Sequence, residues 1–474
     1  MSDTSFLRRV WLRQPLTDSK VDGLQPVIHE QSQDQPPAIP ETQTVLLLHE
    51  ARQPYRLTDS YPVPELRDDR EILVRTQAIG LTPVDWKAPD FNFAIPVLPH
   101  ISGRESAGEV VLNSSRASRF KVGDRVLAIS TDYRDLRKAA YQQYAIAFDY
   151  NTVRLPSTLS PEEGSTLGVA FVAAALALGV CMGLDFSSVL DGPDLYTLLR
   201  ELPPDSLAAD IRNECLDGLR AHDRAQPGDW LAIWGGSSTS ANLTLQLARL
   251  AGLRTIAVAD KAKHGLRLSA PDRAARPDLL VDSHDPSRAV AIIRANMKQQ
   301  QQQQQQQHEG GGEKRRRTPL RFGIDTRGRE SAGWLMQALL LLGPEEGETT
   351  TTTTTAQPPP SPPATPHYDY SNSESGTDGH QQHHQLSAHL VGLTGLPKQQ
   401  PEDVVFHTVP IKLFHEVPAV GEALVEWLER LLEKGLVTPP EIIGVQHGLG
   451  SVNRGLDRMR KGEISGGKLV VRVG

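Results

Sequence analysis

Five consecutive residues, Gly235-Gly236-Ser237-Ser238-Thr239, have the types and spacing best suited to hold a phosphate in this sequence. Paired glycines let the backbone turn where a side chain would clash. A helix starting at the three hydroxyl residues would turn free N–H groups and a positive dipole end toward a pyrophosphate. Asp260 follows at the end of the next apolar run, where an acid holds an adenosine ribose 2′-OH. Asp325 and Thr326 close a further apolar run, at the strand edge where ligands collect. The turn reads G-G-S-S-T-S-A rather than G-x-G-x-x-G, so a tight turn without a ligand is the alternative on this stretch alone.

Other chemistries find little support. No Ser/His/Asp or paired-carboxylate arrangement is recognisable. Two cysteines, Cys181 and Cys215, exclude a disulfide framework and a zinc lobe of four cysteines. His100 is a lone imidazole and reads as structural. His383 and His384 sit in a biased tract, and residues 314–317 (KRRR) read as a solvated charge run. A net charge of −7 gives no general attraction to nucleic acid or anionic membrane. No secretory signal pattern opens the chain, so a soluble, cytoplasmic protein is expected. Residues 167–184 are uncharged and near the length of a membrane span, but their Ala and Gly content predicts a buried core helix.

The elements that must position these residues follow from hydropathy. Residues 230–234 form a short apolar run, 243, 247 and 250 share a helical face, Gly252 caps that helix, and 255–259 is apolar again. This is a βαβ unit, and its crossover should be right-handed. The alternation continues through a helix at 263–268, a strand at 279–281, a helix at 287–297, a strand at 322–326, a helix at 331–342 and a strand at 389–394. That pattern predicts a parallel, doubly wound α/β sheet. Upstream, short strands at 44–48, 71–79, 98–112, 120–129, 141–147 and 152–155 predict a compact β-rich unit, with 80–87 (GLTPVDWK) as a turn-rich loop. The tail from 406 predicts a strand over 406–414, helices over 423–433 and 452–460, and a last strand at 468–472. Residues 299–318, opening on a Gln run, and 344–385, rich in Thr and Pro, bury no apolar face and are expected to be disordered loops. Residues 1–42 read as a flexible arm.

In this order the motifs GLTPVDWK (80–87), GRESAGEVV (103–111), FKVGDRVLA (120–128), PGDWLAIWGGSSTSA (227–241), FGIDT (322–326), AHLVGLTG (388–395) and GLDRMRKGEISGGKLVV (455–471) resemble the medium-chain dehydrogenase/reductase superfamily. The chain is most similar to the zinc-free fungal enoyl reductases, including the trans-acting ones that serve polyketide synthases, and to quinone oxidoreductases. The resemblance implies a GroES-like catalytic domain built from 43–175 and 405–474, around a Rossmann domain at 176–404, with the active site in the cleft. Zinc alcohol dehydrogenases carry a cysteine where this chain has Thr82, and Gly-His-Glu where it has Gly103-Arg104-Glu105. Neither Thr nor Arg is a usual zinc ligand, so no metal is expected there. The resemblance further implies NADPH, with NADH the alternative; Lys261, Lys263 and Arg267 would then answer a 2′-phosphate, or else they form a solvated helix face. It sets Gly392, Leu393 and Thr394 beside the nicotinamide. It makes Lys87 a substrate anchor, or else a surface lysine, and Thr82 a donor to the substrate carbonyl.

The expected function is zinc-independent, NAD(P)H-dependent reduction of an activated C=C bond in an enoyl thioester, enone or quinone. The substrate would be a small molecule or carried on a protein, with a polyketide synthase as partner and a monomer or homodimer as the assembly. The rivals are a non-catalytic dinucleotide-binding sensor and a zinc-type alcohol dehydrogenase.

Overall fold

The computed structural model describes residues 38–115, 118–271, 273–308, 320–340 and 386–473. Seven strands come first: β1 (Thr42–Leu47), β2 (Arg56–Pro62), β3 (Glu71–Leu81), β4 (Glu105–Asn113), β5 (Arg125–Ile129), β6 (Tyr144–Phe148) and β7 (Thr152–Arg154). Six follow after residue 229: β8 (Trp230–Trp234), β9 (Arg254–Ala259), β10 (Leu279–Asp282), β11 (Leu320–Asp325), β12 (Ala388–Gly392) and β13 (Val404–His407). The last two are β14 (Ile442–His447) and β15 (Lys468–Arg472).

The middle six form one sheet in the order β10-β9-β8-β11-β12-β13. Every pairing in it is parallel. Its first strand sits centrally and the order reverses beside it, which opens a crevice at the carboxyl ends of β8 and β11. β8 is buried along its whole length, as a strand covered on both faces must be. Leu231 and Ile233 join one core, and Trp230, Ala232 and Trp234 join the core on the other face.

The second large sheet runs β14-β15-β3-β4-β5-β7, with β6 added to β3. β3 is long enough to serve two partners, pairing β6 from Glu71 to Arg75 and β15 from Ala78 to Leu81. The chain therefore returns, after the parallel sheet, to complete the sheet it began.

The apolar run near residue 170 joins the two sheets. Helix Gly168–Leu176 and the π-helical turn Ala177–Cys181 place Phe171, Leu176 and Leu178 in a core shared with Leu127 and Val153 of one sheet and Leu231 and Leu243 beside the other. Residues Pro161–Cys181 are long and apolar enough to cross a membrane, but 89% of the apolar window is buried inside the protein. Trp427 completes this core, packed against Phe171 and Phe186.

Several expectations are corrected. Residues 80–87 are not a loop: Gly80 and Leu81 finish β3, and Pro83–Phe91 is a helix. Pro83 stands at its first turn, where no N–H is needed, and the Thr82 N–H donates to Asp85 Oδ2 at 2.8 Å. The Gln run is not a loop either, because the helix Pro286–His308 continues through it. Glutamine is a good helix former, and extending a formed helix adds a hydrogen bond per residue. The rest of that insertion and residues 344–385 lie outside the described residues. The strand expected over 406–414 ends at His407; Pro410 lacks the N–H a ladder needs, and Leu413–Glu416 is helical. Strands β2 and β14 were not expected at all.

Candidate functional site

The carboxyl ends of β8, β9 and β11 open onto a cleft of about 390 Å³ that the β-rich sheet closes from the other side. Gly235, Ser237, Ser238, Thr239, Asp260, Lys263 and Thr326 line one wall; Leu81, Pro83 and the segment from Ile464 to Leu469 line the other.

The glycine turn is built by hydrogen bonding. The N–H groups of Gly235 and Gly236 both donate to the Val258 carbonyl, at 3.0 and 2.9 Å, which draws the turn against β9. Gly235 sits at φ +81, and a Cβ there would lie 2.2 Å from Thr326 Oγ1. At Gly236 a Cβ would meet that of Ala257 at 2.7 Å. Ser238 caps the helix Thr239–Leu250, its Oγ accepting from the Ala241 N–H at 3.1 Å and donating to Thr326 Oγ1 at 3.1 Å. The half-buried side chains of Ser237 and Thr239 remain on the cleft wall. This is an uncluttered helix start facing open space, which is what an anion needs.

The acid and the cations divide differently from the sequence reading. Asp260 caps the helix Lys261–Ser269 by accepting from the Lys263 N–H at 3.0 Å, and that hydrogen bond holds its carboxyl below the usual range. Lys263 Nζ lies 3.6 Å from the same carboxylate and is largely exposed, open to a further anion. Lys261 is exposed but does not line the cleft. Arg267 is engaged elsewhere: it donates to the Gly466 carbonyl and, at 3.4 Å, to that of Ser237. With His264 Nε2 2.8 Å from Ser465 Oγ, these contacts tie Ser465 and Gly466 to the parallel-sheet side of the cleft.

Thr326 stands at the turn, while Asp325 shapes it from beneath. Asp325 Oδ1 accepts from the N–H groups of Arg327 and Gly328 at 2.9 and 2.7 Å, and burial raises its carboxyl. Gly392, Leu393 and Thr394 end β12 outside the lining of this cleft; Leu393 N–H donates to the Asp325 carbonyl at 2.9 Å, and Thr394 is exposed. Lys87 is half-buried on the helix Pro83–Phe91, its Nζ 5.8 Å from the Trp86 ring centroid, and it too stays off the cleft wall. Thr82 is buried between two lining residues, and its Oγ1 has no partner. Sequence reasoning missed Arg327, His264 and Lys468, all of which line the cleft. Lys468 is 3% exposed and pairs with Glu105, whose Oε2 accepts from the Val169 N–H at 2.9 Å. No local pattern announces that pair, which spans most of the chain.

For a metal, Thr82 and Arg104 offer no suitable donor set at the cleft. Among the described residues the one group of metal-capable side chains is Cys181, Glu214 and His407, whose ligand atoms lie within 4.8 Å of one another. None lines the cleft, and hydrogen bonds occupy His407: Nδ1 lies 2.7 Å from Glu214 Oε1 and Nε2 lies 2.9 Å from His389 Nδ1.

Comparison with known proteins agrees with this geometry. Residues 68–157 match the alcohol dehydrogenase GroES-like domain. An alcohol dehydrogenase superfamily protein from Novosphingobium aromaticivorans superposes over 91% of this chain and all of its own, with a TM-score of 0.57 at 16% identity. The chain has the medium-chain dehydrogenase/reductase fold. A mycobacterial protein complexed with NADPH superposes with a TM-score of 0.56 over 91% of this chain and 99% of its own, at 15% identity. In sequence, the trans-enoyl reductase caaB of Aspergillus niger is 31% identical over 259 residues, covering 54% of this chain and 61% of that protein. Two further trans-enoyl reductases match over 54% and 48% of their lengths, so the chain spans about half the length of the curated relatives it matches.

Proposed function

We propose that this medium-chain reductase is zinc-independent and uses NADPH, with NADH the poorer alternative, to reduce an activated C=C bond in an enoyl thioester, enone or quinone. The observation that carries the reading is that one cleft holds both the open helix start after Gly235 and the inner wall of the β-rich sheet. A nucleotide and a second small molecule can meet there. Ser237, Thr239 and the open N–H groups of the first helical turn would hold the pyrophosphate, and Asp260 and Lys263 would face the adenosine ribose. Bound there, NADPH would supply the hydride that the β-carbon accepts, with the proton for the α-carbon drawn from solvent. The chain's part is to seat both molecules, shut out water and hold the substrate oxygen.

On the same reading, residues 43–175 and 405–474 form the substrate part and 176–404 the nucleotide part. The kinship to proteins named trans-enoyl reductases supports a carrier-bound substrate and a polyketide synthase partner. Buried free thiols at Cys181 and Cys215 support a reducing compartment such as the cytoplasm.

The test is NADPH oxidation against an enone, a quinone, a free enoyl thioester and the same enoyl group on a carrier protein, with the saturated product identified. Turnover of any of them supports the reading. Tight NADPH binding with no turnover across the panel would instead leave the sensor reading standing.

A further inference from the structure

Behind the cleft wall lies a group of buried polar atoms without partners. The segment from His100 to Arg104 is held in the β-rich unit by its backbone. His100 exchanges hydrogen bonds with Leu48 at 2.8 and 2.9 Å, the Tyr141 N–H donates to the Ser102 carbonyl at 2.9 Å, and the Ser130 N–H donates to the Arg104 carbonyl at 2.7 Å. Gly103 sits at φ +96 with Tyr141 pressed on it; a Cβ would come within 2.5 Å of that ring. This contact sets Arg104 beside Tyr141. The Arg104 side chain is 3% exposed and lies over the Tyr133 ring, 3.8 Å from its centroid. Its nearest acid is Asp85, whose buried carboxylate attracts it without closing an ion pair among the described residues, and its Nε has no partner. Thr82 Oγ1, Asp85 Oδ1, both ring nitrogens of His100 and the Tyr141 hydroxyl are buried without a well-formed hydrogen bond, the Asp85 carboxylate being the acceptor nearest the two hydroxyls.

Orphaned atoms converging on one buried cation imply a guest. The chemistry of the cluster says which kind. Arg104 is a permanent cation, and Thr82 and Tyr141 have hydroxyls to donate. Burial and the neighbouring guanidinium push His100 down to about 4, so its imidazole is neutral and has one N–H to give. The one acid, Asp85, already holds the Thr82 N–H through Oδ2. Donors outnumber that single acid, so the cluster has room for one more oxygen acceptor. The place is also suitable: Thr82 lies between Leu81 and Pro83, both on the cleft wall, and Glu105, next to Arg104, pairs with the cleft residue Lys468.

Building on the function proposed above, we infer that Arg104, with Thr82 and Tyr141, receives the carbonyl oxygen of the substrate, the atom on which charge builds as the C=C bond is reduced. Arg104 is then an electrophilic catalyst, a buried cation preorganised beside the oxygen on which charge builds. A carboxylate of the same shape should bind there as a substrate mimic.

The test uses the full chain and its Arg104→Gln and Arg104→Lys variants, with three readouts: NADPH affinity by fluorescence, kcat and KM on an enone, and calorimetric binding of crotonate to the NADP+-loaded protein. Expected for Arg104→Gln are an unchanged NADPH affinity, a kcat lower by about 10²–10³, and crotonate affinity lower by at least about tenfold. Arg104→Lys should recover part of both losses, since it keeps the charge but not the planar fork. Wild-type turnover or wild-type crotonate affinity in Arg104→Gln overturns the inference and leaves a pocket for water only; so does failure of crotonate to bind the wild type. If the wild type reduces no activated C=C bond, the proposed function fails, while crotonate binding still reports on Arg104. Should both variants fail to fold, Thr82→Val, which removes only the hydroxyl, must weaken crotonate binding and lower kcat, and no change in either refutes the assignment.

Discussion

Gly235→Ala tests the turn on which the nucleotide site depends. A side chain at φ +81 costs about 1–2 kcal/mol in backbone strain. The new methyl would start 2.2 Å from Thr326 Oγ1, so Thr326 must move. That hydroxyl lies 3.2 and 3.1 Å from the Trp234 and Gly235 carbonyls, and losing its hydrogen bond costs about 1 kcal/mol more. The total is about 2–3 kcal/mol, read as a fall of several degrees in Tm. The same movement would shift the helix start proposed to seat the pyrophosphate. One lost hydrogen bond to a charged group is worth about 1.5–3 kcal/mol, so NADPH should bind roughly ten to a hundred times more weakly. Thr326→Ala removes the clash but not the strain, so the double variant should recover part of the loss, with a coupling of about 1 kcal/mol in a double-mutant cycle. Fluorescence titration and thermal unfolding of the four proteins decide the matter. If Gly235→Ala keeps both its melting temperature and its NADPH affinity, the turn is not the seat argued here.

Other consequences follow from the same structure. Asp260→Asn keeps an acceptor for the Lys263 N–H while removing the charge, so NADPH should bind tighter relative to NADH by about fivefold, the size of one unit-charge contact in water; an unchanged ratio in paired titrations would mean that the acid does not select the nucleotide. His100 and His389 are buried and held down to about 4 and about 3, while unfolded imidazoles titrate near 6.5. The unfolded chain therefore binds more protons below that point, and stability should fall as pH drops from about 6.5 toward 4, by up to about 3 kcal/mol for His100. Urea midpoints across that window should slope accordingly, and His389→Asn should flatten the slope. Trp427 is fully buried and donates through Nε1 to the Val189 carbonyl at 3.0 Å, so Trp427→Ala should cost about 3–5 kcal/mol by urea unfolding, with Trp427→Phe intermediate.

Much of the architecture was legible because the signals are local. The apolar run of β8, the glycine pair, the amphipathic helix and Gly252 fall within twenty-three residues, and each agrees with the next. The errors came where one residue type carries two meanings. Pro83 reads as a turn breaker, yet at the first position of a helix it is a starter, and the Thr82–Asp85 spacing that says so was available. The Gln run reads as unstructured by composition, yet it continues a helix already nucleated by Ala289, Val290 and Ile293 packing on the sheet.

Local pattern was enough for the class of the fold and for the stretch proposed to seat a nucleotide, because strand, turn and helix propensities act between near neighbours. The family resemblance offered Arg267 either a phosphate or a solvated helix face and Lys87 either the substrate or the surface, and His100 read as structural. Only the tertiary structure decided that Arg267 holds Gly466, that Lys87 lies off the cleft, and that His100, Thr82 and Tyr141 leave polar atoms unmet around Arg104. The physical reason is that a side chain's role depends on which partners remain free once the chain has closed. Those partners come from segments such as Glu105 and Lys468, which pair across 363 positions and have no pattern in common.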